Sequence, residues 1–262
     1  MKRRIDTFAL AVVAMLFAMT AAAQWAVYER PTAADWAALA ELPDFSGVWE
    51  RGGGGRGAGG GRGRGGGGSA LSPTPEYAAL RDQLRQTEVG GQSANCLPPG
   101  MPGIMTQPYP MEFLMTPGKV TIVLEAYTQV RHIYTDGREL PEYPDPNFYG
   151  TSVGHWEGDT LVVESVGFSD LVRINGIPHS DRMKITERLS LIDEDVMQIE
   201  TTITDPEALT QPYTTSATFA RHRDWTIAEY ICQENNRNFV DSEGDEGIIL
   251  DNPGGLPPPP SN

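Results

Sequence analysis

Beyond Pro117 the chain alternates apolar and polar residues with period two in short runs. This pattern predicts strands at 120–126, 129–134, 151–156, 160–166, 183–192, 196–204, 213–220 and 225–232. Asp136-Gly137 and Glu157-Gly158-Asp159 supply hairpin turn signals between them. No run of ten or more residues with helical period intervenes, so the expected arrangement is an antiparallel meander rather than a parallel sheet built on helical crossovers. Eight or nine strands with one apolar face must close or stack as two sheets, because an open edge invites aggregation. The expected fold is mainly all-β, a meander closing into a lipocalin-like or barrel-like sheet with one or two short N-terminal helices.

Ahead of the meander the pattern is mixed. Thr32 can cap a short helix running to Leu42, and Phe45-Ser-Gly-Val-Trp49 reads as a first strand. Thr74-Pro-Glu-Tyr77 opens a second helix whose apolar stripe is Tyr77, Leu80 and Leu84, ending near Gly90-Gly91. Residues 96–117, rich in proline and methionine, are expected to be irregular. Such a segment can wrap a barrel or cover its mouth. Met101, Met105, Tyr109, Met111 and Phe113 could line a pocket, but packing against the outside of the sheet is the expectation.

In two strands the alternation carries an acid on the apolar face. Glu187 falls in register with Met183, Ile185, Leu189 and Leu191, and Glu229 with Trp225, Ile227 and Ile231. Buried carboxylates are costly unless paired, protonated or used, so both glutamates are expected to enter one interior and form a polar centre there. Arg131, sharing parity with Ile133, can fork onto one of them as an ion pair. An unpaired one would titrate upward and become a competent acid or base. His179, in the Pro178-His-Ser180 turn feeding the Glu187 strand, is the histidine best placed to join them, its tautomer set by Ser180 or a carboxylate. For an enzyme, the expected catalytic residues are therefore Glu187, His179 and Glu229. For a binding protein, the expected ligand contacts are Arg131, Tyr134, Trp156, Glu187, Glu229, Glu234 and Arg237.

Other chemistries find little purchase. His132, His155 and His222 are spaced unlike any compact ligand motif, and no local pattern nominates a metal or another cofactor. Gly150-Thr-Ser152-Val-Gly154 has nucleophile-elbow spacing but lacks the strand-to-helix turn that activates such a serine. The acidic stretch 241–247 does not place its ligands at calcium-loop positions.

Composition narrows the setting. Residues 1–26 have the layout of a secretory signal, with Lys2, Arg3 and Arg4, an apolar run over 8–19 and Ala21-Ala22-Ala23 before an expected cleavage after Ala23. That run is too short to span a bilayer as a helix, so the mature chain is expected to be exported, periplasmic or secreted, without stable membrane insertion. The whole chain carries 20 Lys+Arg against 35 Asp+Glu, a formal charge of −15, and removal of residues 1–23 makes it more acidic. This repels phosphates and disfavours nucleic acid as a partner. Residues 51–69, mostly glycine with Arg56, Arg62 and Arg64, are expected to be a flexible insert, and 241–262 a loose acidic and proline-rich tail. A signal at 1–23, a helix and first strand over 24–50, and a barrel-like domain over 70–240 that includes 45–50 complete the expected organisation. The two cysteines, Cys96 and Cys232, are expected to pair, closing a loop worth on the order of 5 kcal/mol.

Several phrases resemble a family of exported bacterial β-rich proteins of uncharacterised function: Phe45-Ser-Gly-Val-Trp49, Arg131-His-Ile-Tyr-Thr-Asp-Gly-Arg138, Gly154-His-Trp-Glu-Gly-Asp-Thr-Leu-Val-Val163, Pro178-His-Ser180, Glu187-Arg188 and Cys232-Gln-Glu-Asn-Asn-Arg237. The resemblance covers 45–237 apart from the glycine insert and implies a single domain without an assigned activity. Gly47-Val-Trp49 also resembles the first-strand Gly-X-Trp of lipocalins. Three functions compete at this stage. One is a module holding a small, largely apolar molecule inside the sheet, its polar end fixed by Glu187, Glu229 and Arg131. Another is a cofactor-independent hydrolase, lyase or isomerase in the same pocket, and the third an envelope protein without a ligand.

Overall fold

The computed structural model describes residues 30–52, 69–87, 96–232, 238–240 and 246–248. Helix α1 (Ala33–Ala40) begins where Thr32 and Asp35 form a reciprocal capping box, and α2 (Pro75–Thr87) begins on a proline, which loses no hydrogen bond at a helix start. Nine strands follow the ring: β1 (Gly47–Arg51), β2 (Met111–Thr116), β3 (Lys119–Leu124), β4 (Gln129–Tyr134), β5 (Thr151–Glu157), β6 (Thr160–Val166), β7 (Lys184–Asp193), β8 (Val196–Thr204) and β9 (Tyr213–His222). Each pairs with the next, and β1 pairs with β9, so the sheet closes into a barrel. A separate hairpin joins β10 (Asn238–Val240) to β11 (Glu246–Ile248).

The expected barrel is present, but its meander is not antiparallel throughout. A closed ring with an odd number of strands cannot alternate direction at every step, so one parallel pair is obligatory. It falls at β4–β5, where Ile133 lies opposite Ser152 and Tyr134 opposite Val153. Residues 135–150 make the return crossover, a length that parallel pairing needs.

Two further expectations are corrected. Residues 111–116 form β2 rather than an irregular stretch, and Met111 and Phe113 point into the core. Pro108, Pro110 and Pro117 hide an ordinary alternation over those six residues, because prolines bracket the strand without interrupting its ladder. Residues 225–231 form no strand, because β1 and β9 already pair with each other and leave no edge for another neighbour. Trp225 instead stacks flat on His222, 3.6 Å between ring centroids, and the chain returns toward Cys232 on the outside of the barrel.

The seam between first and last strands is sealed by side chains. Arg221 lies over the Trp49 ring at 4.6 Å and its Nη2 donates to the Asp44 carbonyl at 2.6 Å, while Trp49 Nε1 donates to the Phe45 carbonyl at 2.8 Å. Inside, Trp49, Phe113, Ile122, Ile133, Leu161, Val163, Ile185, Leu189, Met197 and Phe219 are buried and form one continuous core.

One mouth gathers the C-terminal end of β1, the starts of β4 and β5 and the β8–β9 connection. The segment around the 3₁₀ turn Gly103–Thr106 covers it from within the core, with Met101, Ile104 and Met105 all buried. This replaces the expectation that the segment packs outside. Gly100 makes the entry possible: its φ is +64°, and a Cβ there would stand 2.5 Å from Val172 Cγ2 and 2.6 Å from the Phe148 carbonyl oxygen. The Met101 amide donates to that same carbonyl at 2.9 Å. The Cys96–Cys232 disulfide ties the start of this cover to the returning C-terminal segment.

Candidate functional site

Four neighbouring strands each send one polar side chain into the barrel. Arg131 comes from β4, Ser152 from β5, Ser165 from β6 and Glu187 from β7, each at the parity that faces the core. Ser152 and Ser165 are direct cross-strand partners, and Glu187 stands opposite Val163. Arg131 grips Glu187 with both terminal nitrogens: Nη1 donates to Oε1 at 3.1 Å and Nη2 donates to Oε2. Nη2 also donates to Ser165 Oγ at 3.2 Å and Ser152 Oγ at 3.4 Å, and the two serine oxygens are 2.7 Å apart. All four are buried, Glu187 at 0% exposure, and Arg131 Nε alone of this group has no hydrogen-bond acceptor. A fork of this kind is charge-assisted and bidentate, which compensates the desolvation of both ions far better than a single contact. Each carboxylate oxygen accepts one of these hydrogen bonds.

The remaining candidates do not join this group. Glu229 is exposed, outside any strand, because the strand that would have turned it inward does not form. Tyr134 alternates with Arg131 and Ile133 and so lies on the outer face, with the Arg138 guanidinium 3.8 Å over its ring. Trp156 points inward but packs on Phe45, ring centroids 5.3 Å apart. His179 sits in the connection between β6 and β7, where its Nδ1 faces the Ser180 carbonyl at 2.7 Å and its Nε2 the Ser169 carbonyl at 2.8 Å. The ring's hydrogen bonding is thereby spent on loop backbone. Glu234 and Arg237 lie outside the described residues, as do residues 1–23. Among the described residues no group of three or more His, Cys, Asp or Glu side chains is arranged to hold a metal ion, and no helix is long and apolar enough to cross a membrane.

Beside the polar stripe the barrel opens. A cleft of about 280 Å³ runs between the inner faces of β8 and β9 and the covering segment. Ile199, Thr201 and Ile203 form one wall, Tyr213, Thr215, Ala217 and Phe219 the next, and Pro102, Met105 and Thr106 the roof. Arg51 and Asn175 stand at its edge. Thr201 is the cross-strand partner of Glu187, so the cleft wall is continuous with the stripe. The arginine is held by one hydrogen bond, Nη1 to the Thr106 carbonyl at 3.2 Å, and Asn175 Nδ2 donates to the Tyr213 hydroxyl at 3.2 Å. Of the residues singled out in the sequence as a pocket lining, Met105 lines this space, whereas none of the expected catalytic or ligand-contact residues does.

Sequence reasoning could have found part of it. Thr201 shares parity with Met197, Ile199 and Ile203, the same break in an apolar face that singled out Glu187. Ser165 likewise interrupts Leu161 and Val163. Asp205 was also missed. It is buried, and accepts from the Ser180 amide and hydroxyl, both at 2.7 Å, and from the amides of Glu207 and Ala208 at 3.1 and 3.0 Å. It pins the Pro-His-Ser turn to the β8–β9 connection, and Asp205-Pro206 is itself a turn-opening pair.

Tyrosines crowd the same covered mouth. Tyr230 meets Tyr109 edge-on at 5.2 Å and Tyr127 at 5.3 Å. Burial, and then the neighbouring Tyr127, push the Tyr149 phenol well above its ordinary range, and among the described residues its hydroxyl has no hydrogen-bond partner. Burial raises Tyr127 and Tyr230 as well.

Fold and site together define a closed nine-strand β-barrel protein with a sealed interior ion pair and an adjoining open cleft. No protein-family model and no curated protein matches the chain. Among solved structures it is similar to a secretary abundant heat soluble (SAHS) protein from Ramazzottius varieornatus, at 10% identity and a TM-score of 0.32, covering 68% of this chain and 95% of that one. At that score the likeness adds nothing to the strand order, which defines the barrel by itself.

Proposed function

We propose that the protein binds a small, partly apolar molecule in the cleft between β8, β9 and the covering segment. One observation carries this reading: a concave space of about 280 Å³ inside the barrel wall, lined by apolar side chains and a few hydroxyls. Its volume is roughly twice that of a dry cavity known to take up one benzene, so a bicyclic molecule matches it in size. Arg131 and Glu187 serve this site from behind, as the rigid polar stripe that holds β4 to β7 in register, rather than as ligand contacts. Acid–base catalysis by Glu187 is the weaker reading, because its carboxylate is forked by Arg131 and shut away from solvent. The disulfide, together with the signal-like start of the chain, supports an exported location, periplasmic or secreted.

The test is uptake of naphthalene-2-methanol, followed by its fluorescence, in the native chain and in Ala217→Trp, which would fill the cleft. Saturable binding that disappears in the variant while its melting is retained supports the reading. Binding that survives the substitution would move the ligand elsewhere.

A further inference from the structure

Resting on that cleft reading, we infer that the ligand is a carboxylate whose anionic end is held by Arg51 at the rim and whose apolar body lies on Met105, Ile199 and Phe219. The chain carries 35 acidic residues against 20 basic ones, yet among the described residues no acid lines the cleft, and Arg51 is the one charged residue in its lining. An acid-free lining with a single cation is the reverse of the molecule's overall charge. It gives an anion a local attraction that the rest of the surface withholds.

The state of that guanidinium supports the assignment. Arg131, Arg188, Arg221 and Arg223 are all paired with carboxylates of their own chain. Arg51 is exposed and, among the described residues, donates one N–H, to the Thr106 carbonyl. A guanidinium has five N–H donors in a planar fork, so a face suited to bidentate contact with a carboxylate remains. The same hydrogen bond fixes the side chain against the roof of the cleft and limits the rotamer freedom that binding would otherwise remove.

The charge of the ligand follows from the count. One guanidinium balances one carboxylate, whereas a phosphate dianion would leave a surplus charge with no second cation in the lining. An ammonium ligand would bring its charge up against the Arg51 guanidinium. Deeper in, Thr201 and Thr215 face each other across β8 and β9, and neither hydroxyl forms a hydrogen bond among the described residues. The neutral hydroxyls there can donate to a carbonyl or ether oxygen on the ligand body but offer no compensation for a buried charge, which keeps the anionic end at the rim.

The experiment compares naphthalene-2-carboxylate with naphthalene-2-methanol on the native chain, on Arg51→Gln and on Arg51→Lys, at fixed salt. The native chain should bind the acid about ten-fold more tightly than the alcohol, one charge-assisted contact being worth that much. Arg51→Gln should erase the preference, so that acid and alcohol bind alike on that variant, and Arg51→Lys should keep part of it. Equal binding of the two probes, or an acid preference that persists in Arg51→Gln, would overturn the carboxylate assignment and leave the cleft reading standing. Binding of neither probe would overturn both.

Discussion

Replacing Glu187 by glutamine separates a sealed structural pair from a working acid. The substitution keeps size and one accepting oxygen but leaves the Arg131 guanidinium charged, buried and opposed only by Ser152, Ser165 and an amide. Breaking a buried ion pair from one side costs about 3–5 kcal/mol, and the retained oxygen argues for the lower end, about 3 kcal/mol. For a domain of 150–250 residues, each kcal/mol moves the melting temperature by about 2–4 °C, so Glu187→Gln should melt roughly 6–12 °C lower. The complementary variant removes both charges. Arg131→Met with Glu187→Leu should recover most of that loss or exceed native stability, because two desolvation penalties vanish together. Glu229→Gln, at an exposed position, should change stability by less than about 0.5 kcal/mol and serves as the control. Thermal and urea unfolding of the four proteins measures these differences, and adding Arg131→Met and Glu187→Leu singly closes the cycle that gives the coupling energy. If Glu187→Gln melted within about 2 °C of the native protein, or the double variant were as unstable as the single, the buried-pair argument would be wrong.

Other outcomes follow from the same geometry. Arg221→Ala should cost about 2–3 kcal/mol in urea unfolding, through loss of the stack on Trp49 and of the charged donor to the Asp44 carbonyl; a cost under about 0.5 kcal/mol would show that the barrel seam does not depend on it. Gly100→Ala should destabilise by more than about 2 kcal/mol and expose the covering segment to protease, given contacts of 2.5 and 2.6 Å for the new Cβ, whereas Gly52→Ala, with nothing within 4 Å, should cost about 1 kcal/mol. Equal losses for the two glycines would discredit the entry of that segment into the core. Because burial raises the folded pKa of Tyr149 above its ordinary value of 10.0, the folded state holds that proton more tightly, so stability is intact below pH 10 and falls as pH rises beyond it. Alkaline unfolding followed by phenolate absorbance should shift to higher pH in Tyr149→Phe; an unchanged profile would remove Tyr149 as the cause.

Much of the barrel was legible because strand formation here is a local matter. The runs 129–134, 160–166 and 196–204 are bounded as β4, β6 and β8 are, since period-two alternation and turn residues act over a few residues only. The inward direction of Glu187 followed from the same parity. Glu229 had equally good alternation and failed, because inwardness needs a ladder partner, and β1 had taken the only edge that β9 offered.

What the linear pattern determined, then, was which residues would share a face, the side-chain period of a strand being set by the backbone itself. Tertiary structure decided the rest: that a ring of nine strands needs one parallel step, and that a proline- and methionine-rich segment enters the core. It also decided that Arg131 pairs with Glu187 in the interior, while Arg51, distant in sequence from β8 and β9, comes to stand at the edge of their cleft. Those outcomes depend on ring closure and on contacts between residues far apart in the chain, which no local period encodes.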